Sequence, residues 1–167
     1  YNAKIAGVRS SLDNGSSDLL FQTTHVTTAT IVPTTKMIIK SDGKVGIGTT
    51  GPTALLEVKK DNATIYDATS DSGQDNNTAT VLVSNDNVTT NTFSQIAFHN
   101  KGSNRGISRI VSIGVGSAST DLAFVTENNN TKAEKMRILS GGNVGIGTDS
   151  PGAKLEVNGG EIRTTRE

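Results

Sequence analysis

One stretch of this chain occurs twice, 99 positions apart. Lys36–Lys59 reads KMIIKSDGKVGIGTTGPTALLEVK and Lys135–Asn158 reads KMRILSGGNVGIGTDSPGAKLEVN, with 15 of 24 aligned positions identical and no gap. Self-similarity at a fixed spacing is the mark of arrays and fibres, in which each repeat buries its apolar face against neighbours. A catalytic constellation has no need to be stamped out along a chain. The duplication therefore points to something built rather than something catalysed, and no catalytic, cofactor-binding or metal-ligating residue is assigned from the sequence.

Composition agrees with that direction. Only 33% of the residues are hydrophobic and 4% aromatic, while Gly, Ser, Thr and Asn together supply 72 of the 167 residues. So little apolar surface cannot fill a thick core within one chain, and burial against copies of itself is the natural remedy. Sixteen basic and sixteen acidic residues cancel, which leaves no electrostatic footprint for nucleic acid or an anionic membrane. The absence of Cys excludes a disulfide framework and thiolate zinc sites. No apolar run reaches the roughly 18 residues of a spanning helix. Tyr1 in place of an initiator Met is expected of a fragment or a processed product.

Helical periodicity is nearly missing, whereas short alternating runs rich in Thr, Val and Ile are frequent. The sequence predicts strands at Ile5–Arg9, Asp18–Thr23, Val26–Val32, Lys36–Lys40, Leu55–Lys59, Thr80–Ser84, Phe93–His99, Ile107–Ile113, Asp121–Thr126, Lys135–Leu139 and Leu155–Asn158. Clusters such as Asp71–Asn77 and Asn128–Asn130 supply turn chemistry between them. The repeat also extends upstream, because Asp18–Thr23 matches Asp121–Thr126 at an offset of 103. The change from 103 to 99 places four extra residues in one loop of the first copy. The expected organisation is an all-β chain with residues 1–55 ending one repeat, 56–151 forming a complete repeat and 152–167 opening another.

The VGIGT core concentrates glycine. Gly43, Gly46, Gly48 and Gly51, with Gly141, Gly142, Gly145, Gly147 and Gly152, account for half of the 18 glycines. Extended geometry would put Val45, Ile47 and Thr49 on one face and leave the glycine face bare, as happens where another backbone approaches closely. Two sources of that backbone are open: a turn within one chain, or identical chains closing about a common axis, which is the reading preferred here. After Pro52 and Pro151, the positions Ala54, Leu56 and Val58, and Ala153, Leu155 and Val157, are expected to face inward, with Glu57 and Glu156 outward. Gly46 to Gly51 also satisfies the G-x-G-x-x-G dinucleotide fingerprint. That fingerprint requires a helix at its third glycine, but Pro52 and a strand follow here, and Ser150 replaces the third glycine in the second copy.

The phrase Lys-Met-x-Ile-x-Ser-x-Gly-(Lys/Asn)-Val-Gly-Ile-Gly-Thr, followed by Pro, Leu-Glu-Val and Asn-Gly, resembles the repeat of tailed-bacteriophage fibre proteins, the tail fibres and tailspikes. The resemblance covers about 50 residues directly. It implies an elongated homotrimeric fibre of small β-modules strung along a threefold axis and joined by intertwined VGIGT strands. It further implies an extracellular virion appendage without enzymatic activity. Its flanking regions would attach to other virion proteins, and its tip would meet a host cell-surface receptor, a polysaccharide by expectation. Within each module, Leu56, Val58, Val81, Val83, Ile96, Phe98, Ile110, Leu122, Phe124 and Ile138 are expected to bury inside the module or against symmetry mates.

Other residues carry weaker readings. Asp67, Asp71 and Asp75 with Asn76 and Asn77 do not match the spacing of a calcium loop. His25 and His99 read as surface or interface residues, and Arg105 and Arg109 as candidates to pair with acids on a neighbouring chain. Alternative functions are a carbohydrate-binding module using loops such as 71–77 or 100–104, a capsid-attached fibre, a bacterial surface adhesin, or a polysaccharide depolymerase. The scarcity of aromatic residues disfavours the first, and the lack of a paired-carboxylate groove disfavours the last.

Overall fold

The structure, a computed structural model, describes residues 3–9, 17–24, 33–61, 63, 65–69, 81–100 and 106–163. Among them no helix occurs, and the strands form two sheets, one in each of two compact units, Tyr1–Leu82 and Val83–Glu167. The all-β expectation holds.

In the first unit β1 (Ala3–Arg9), β2 (Ser17–Thr24), β3 (Pro33–Ile39), β4 (Val45–Ile47) and β5 (Leu56–Val58) lie side by side in chain order. In the second, β6 (Phe93–Asn100), β7 (Gly106–Gly116), β8 (Ser119–Asn128), β9 (Thr131–Ile138), β10 (Val144–Ile146) and β11 (Leu155–Val157) do the same. Successive strands are antiparallel except the last pair of each sheet, β4–β5 and β10–β11, which are parallel. Register shows that β7–β11 reproduce β1–β5: Ile5 faces Phe21 as Ile110 faces Phe124, and Met37 faces Ile47 as Met136 faces Ile146. β6 is the edge strand of the second sheet. Both copies bulge at the same place, because Phe21 pairs with Met37 but Gln22 with Thr35, and Phe124 with Met136 but Val125 with Glu134. Lys36 and Lys135 are the extra residues.

Local sequence explains the turns. β8 and β9 are joined through Asn129 (φ 49°) and Asn130 (φ 62°), the two left-handed positions that a type I′ hairpin demands and that Asn tolerates. The partner hairpin runs from Thr24 to Pro33, so the four additional residues fall at 25–32, which lie outside the described residues together with the expected strand Val26–Val32.

Three expectations need correction. Residues 81–84 of the expected strand Thr80–Ser84 are not paired, and Val81 and Val83 are exposed; Thr80 lies outside the described residues. The expected boundaries after 55 and after 151 fall inside sheets, since Leu56–Val58 pairs with its own glycine strand and Leu155–Val157 does likewise. Reading the repeat linearly hid this, because only residues 48–55 separate two parallel strands that usually need a crossover of a dozen or more. Residues 161–163 form no strand, and 164–167 lie outside the described residues.

The inside–outside reading is narrowed. The buried cluster of unit 2 is Val111, Ala123 and Val125, with Ile113 packed against it. These residues share one face of the sheet, and Ile96, Ile110, Leu122, Phe124 and Ile138 share the other. The face expected to bury inside the module or against symmetry mates is therefore open within a single chain, which leaves the second alternative.

Candidate assembly surface and the glycine turn

The glycine motif resolves into a three-residue strand followed by a tight reversal. β4 ends at Ile47, and Gly48 turns the chain with φ +74°, as Gly147 does with φ +74°. The Gly48 amide donates to the Lys36 carbonyl at 3.0 Å, and Gly147 donates to Lys135 at the same distance. In both copies the acceptor is the bulged residue, so the bulge aims a free carbonyl at the turn. The returning strand is fixed at both ends: Val45 N donates to Leu55 O and Lys59 N to Ile47 O, each at 2.8 Å, with 2.9 Å for the two equivalents.

The glycine requirement is met inside one chain. A Cβ on Gly46 would lie 2.6 Å from the Thr49 carbonyl oxygen and 3.1 Å from Ile38 Cγ2, and one on Gly48 would collide with the Lys59 carbonyl. Gly145 and Gly147 meet Thr148 and Asn158 in the same way. The approaching backbone is thus the motif's own: the turn at Thr49 and Thr148 for Gly46 and Gly145, and the end of the return strand at Lys59 and Asn158 for Gly48 and Gly147. The glycines by themselves make no demand for a second chain, and the extended face drawn through Thr49 ends at Ile47.

Carboxylates complete the bracket. Glu57 Oε2 accepts from Thr53 N at 2.8 Å and from Thr53 Oγ1 at 2.9 Å, and Glu156 Oε2 accepts from Gly152 N at 2.7 Å. These bonds hold the Glu57 carboxyl below its ordinary range, the backbone bond from Thr53 contributing most. Both glutamates are half-buried caps on the Pro turn, while Leu56 and Leu155 are 60% and 55% exposed, the reverse of the expectation at these four positions; Val58 and Val157 are half-buried as expected.

A second bracket escaped the sequence reading. Asp18 is buried; its Oδ2 accepts from Lys40 Nζ at 2.6 Å and its Oδ1 from Ser41 N at 2.9 Å. Asp121 repeats this, accepting from Arg137 Nη1 at 3.2 Å and Ser140 N at 2.8 Å. One carboxylate thereby ties β2 (or β8) to the hairpin that launches the glycine strand, and the Lys40 hydrogen bond, then that of Ser41, lowers the Asp18 pKa. The signal was present in the retained Asp at one offset and the retained Ser at the other.

The opposite face carries the apolar surface. In unit 2, Ile96, Phe98, Ile110, Leu122, Phe124, Met136, Ile138, Val144, Ile146, Leu155 and Val157 project on one side of the six strands. In unit 1, Ile5, Leu19, Phe21, Met37, Ile39, Val45, Ile47, Leu56 and Val58 occupy the matching positions. The side chains are half-buried or exposed: Phe98 shows 49% of its surface and Ile5 70%. A whole sheet face of this kind is what isolated soluble proteins avoid and interfaces use.

The remaining candidates do not converge. Asp67 accepts from Thr69 N and Oγ1, closing a local turn; Asp71, Asp75, Asn76 and Asn77 lie outside the described residues, as do His25 and Arg105. His99 is exposed on the edge strand, and Arg109 reaches Gln95 of its own chain at 3.5 Å. Arg137 is held by both carboxylate oxygens of Glu134 at 2.7 Å, which raises its already high pKa further. No protein-family model matches the chain, and no curated protein matches it either.

Proposed function

We propose that the chain is a shaft segment of a trimeric virion fibre of the tail-fibre or tailspike kind, which holds a host-recognition tip away from the particle. The observation that carries this reading is the apolar sheet face, open in one chain and built from matching positions in both units. Three copies of each sheet turned inward would form a prism whose interior is that face. Burial at about 25 cal/mol per Å² of apolar surface then supplies the association energy that the thin single-chain core lacks. The VGIGT bracket serves the same end mechanically. Turn, bulge and return strand are fixed by the chain's own hydrogen bonds, so each module ends in a rigid closure and is repeated at a set spacing.

The resemblance of the motif to phage fibre repeats supplies the biological setting, and the sheet geometry supports a structural role within it. The test is to raise antibodies against the chain and apply them to particles from a host lysate in the electron microscope. Labelling confined to a thin projecting appendage, with antibody blocking adsorption, is the expected result. Labelling only of bacterial envelopes would assign the chain to a surface adhesin instead.

A further inference from the structure

The face opposite the apolar one is not uniform between the units. Unit 2 carries a groove of about 440 Å³ there, walled by Phe93, Gln95, Arg109, Arg137 and Asp149 with Ala123 at its floor. The repeat shows how it arose. Where unit 1 has Leu20, Ile38, Thr35 and Thr50, unit 2 has Ala123, Arg137, Glu134 and Asp149 at the same offsets. Bulk is lost at the floor and polar groups are gained at the rim. Strand β6 supplies the wall of Phe93 and Gln95.

We propose that this groove binds a neutral sugar residue of a surface glycan. Its volume lies at the lower end of the range for small-molecule sites. Phe93, 48% exposed, offers an aromatic surface for the C–H face of a pyranose. Asp149 offers carboxylate oxygens to sugar hydroxyls, while Arg109 and Gln95 offer donors. Arg109 has capacity to spare: its sole hydrogen bond among the described residues is the 3.5 Å contact to Gln95, and its Nε is buried without a partner. Arg137 has less, because Glu134 and Asp121 take three of its five N–H donors and fix it as a wall. In the groove lining the carboxylates of Glu134 and Asp149 balance the two guanidinium groups, which suits a neutral sugar. The groove lies on the reverse of the apolar face, so it stays open when that face is covered, and its occupant is a solute rather than another copy of the chain.

The test is saturation-transfer NMR on the full chain with the methyl glycosides of glucose, galactose, mannose and rhamnose, and with glucuronate as the charged contrast. The expected result is transfer to at least one neutral glycoside at millimolar concentration, weaker transfer to glucuronate, and about tenfold weaker binding in Asp149→Ala and Arg109→Gln. The far-ultraviolet circular dichroism of both variants should stay unchanged. Absence of transfer to all four, or full binding in folded Asp149→Ala, would overturn the proposal. Because the assay reads binding and not mass, it is decided separately from trimer formation.

Discussion

Replacing Gly48 with alanine tests whether the glycine turn is a self-contained bracket. The residue sits at φ +74°, and an added Cβ would run into the carbonyl of Lys59, a backbone atom that cannot rotate away. A left-handed alanine costs about 1–2 kcal/mol. Relieving the overlap by shifting β5 costs about 1–3 kcal/mol more, as for an overpacked core. The sum, about 2–5 kcal/mol, corresponds to a melting point lowered by roughly 8 °C or more for a domain of this size. Gly46→Ala separates the two terms. Its backbone is ordinary, so only the 2.6 Å approach to the Thr49 carbonyl acts, and a smaller loss is expected. Gly51, with nothing within 4 Å, is the control, and alanine there should change stability by less than about 0.5 kcal/mol. Thermal unfolding by circular dichroism at one fixed protein concentration measures all three, since association shifts the midpoint. A Gly48→Ala chain melting within about 2 °C of the parent would refute the close-approach argument.

Other expectations follow from the same geometry. Lys40 and Ser41 depress the folded-state pKa of Asp18. Its stabilising contribution is therefore complete above the unfolded value of about 3.9 and lost as pH falls through the lower folded value, and Asp18→Asn should flatten that acid decline in melting temperature. Leu122→Lys places a charge on the apolar face, where Leu122 is 37% exposed, and should break the assembly into single chains with loss of β-sheet circular dichroism. Retained assembly would exclude this face as the interface. Asn130→Val forces a β-branched residue to φ 62° and should cost about 1–2 kcal/mol in urea unfolding, whereas Asn130→Gly should be tolerated.

Much of the strand pattern was legible because period-2 alternation and Asn- or Gly-rich turns are local signals. Residues 81–84 failed for the complementary reason: alternation in Val81 and Val83 describes a strand only if a partner exists to pair with it. The choice of buried face was harder. Leu122 and Phe124 look more like core than Ala123 and Val125, yet the latter pair is buried because long polar side chains such as Arg109 and Arg137 lie along their face, covering apolar surface with their stems. The sequence pattern identifies a coherent apolar face but cannot say whether its cover comes from the same chain. The glycines misled in the opposite sense. A bare Gly46 signals a close backbone, and only the folded turn reveals that this backbone is the Thr49 carbonyl of the motif itself. For the buried Asp18 and Asp121, repetition was the sole clue, because their partners arrive from a hairpin 22 and 16 residues away.

Sedimentation equilibrium of the intact chain tests the central claim most directly. If the open apolar faces are the interior of a three-chain shaft, the folded species at micromolar concentration weighs three times the 17.4 kDa of one chain, and no folded monomer persists on dilution. A species of single-chain mass with full β-sheet circular dichroism would contradict the account.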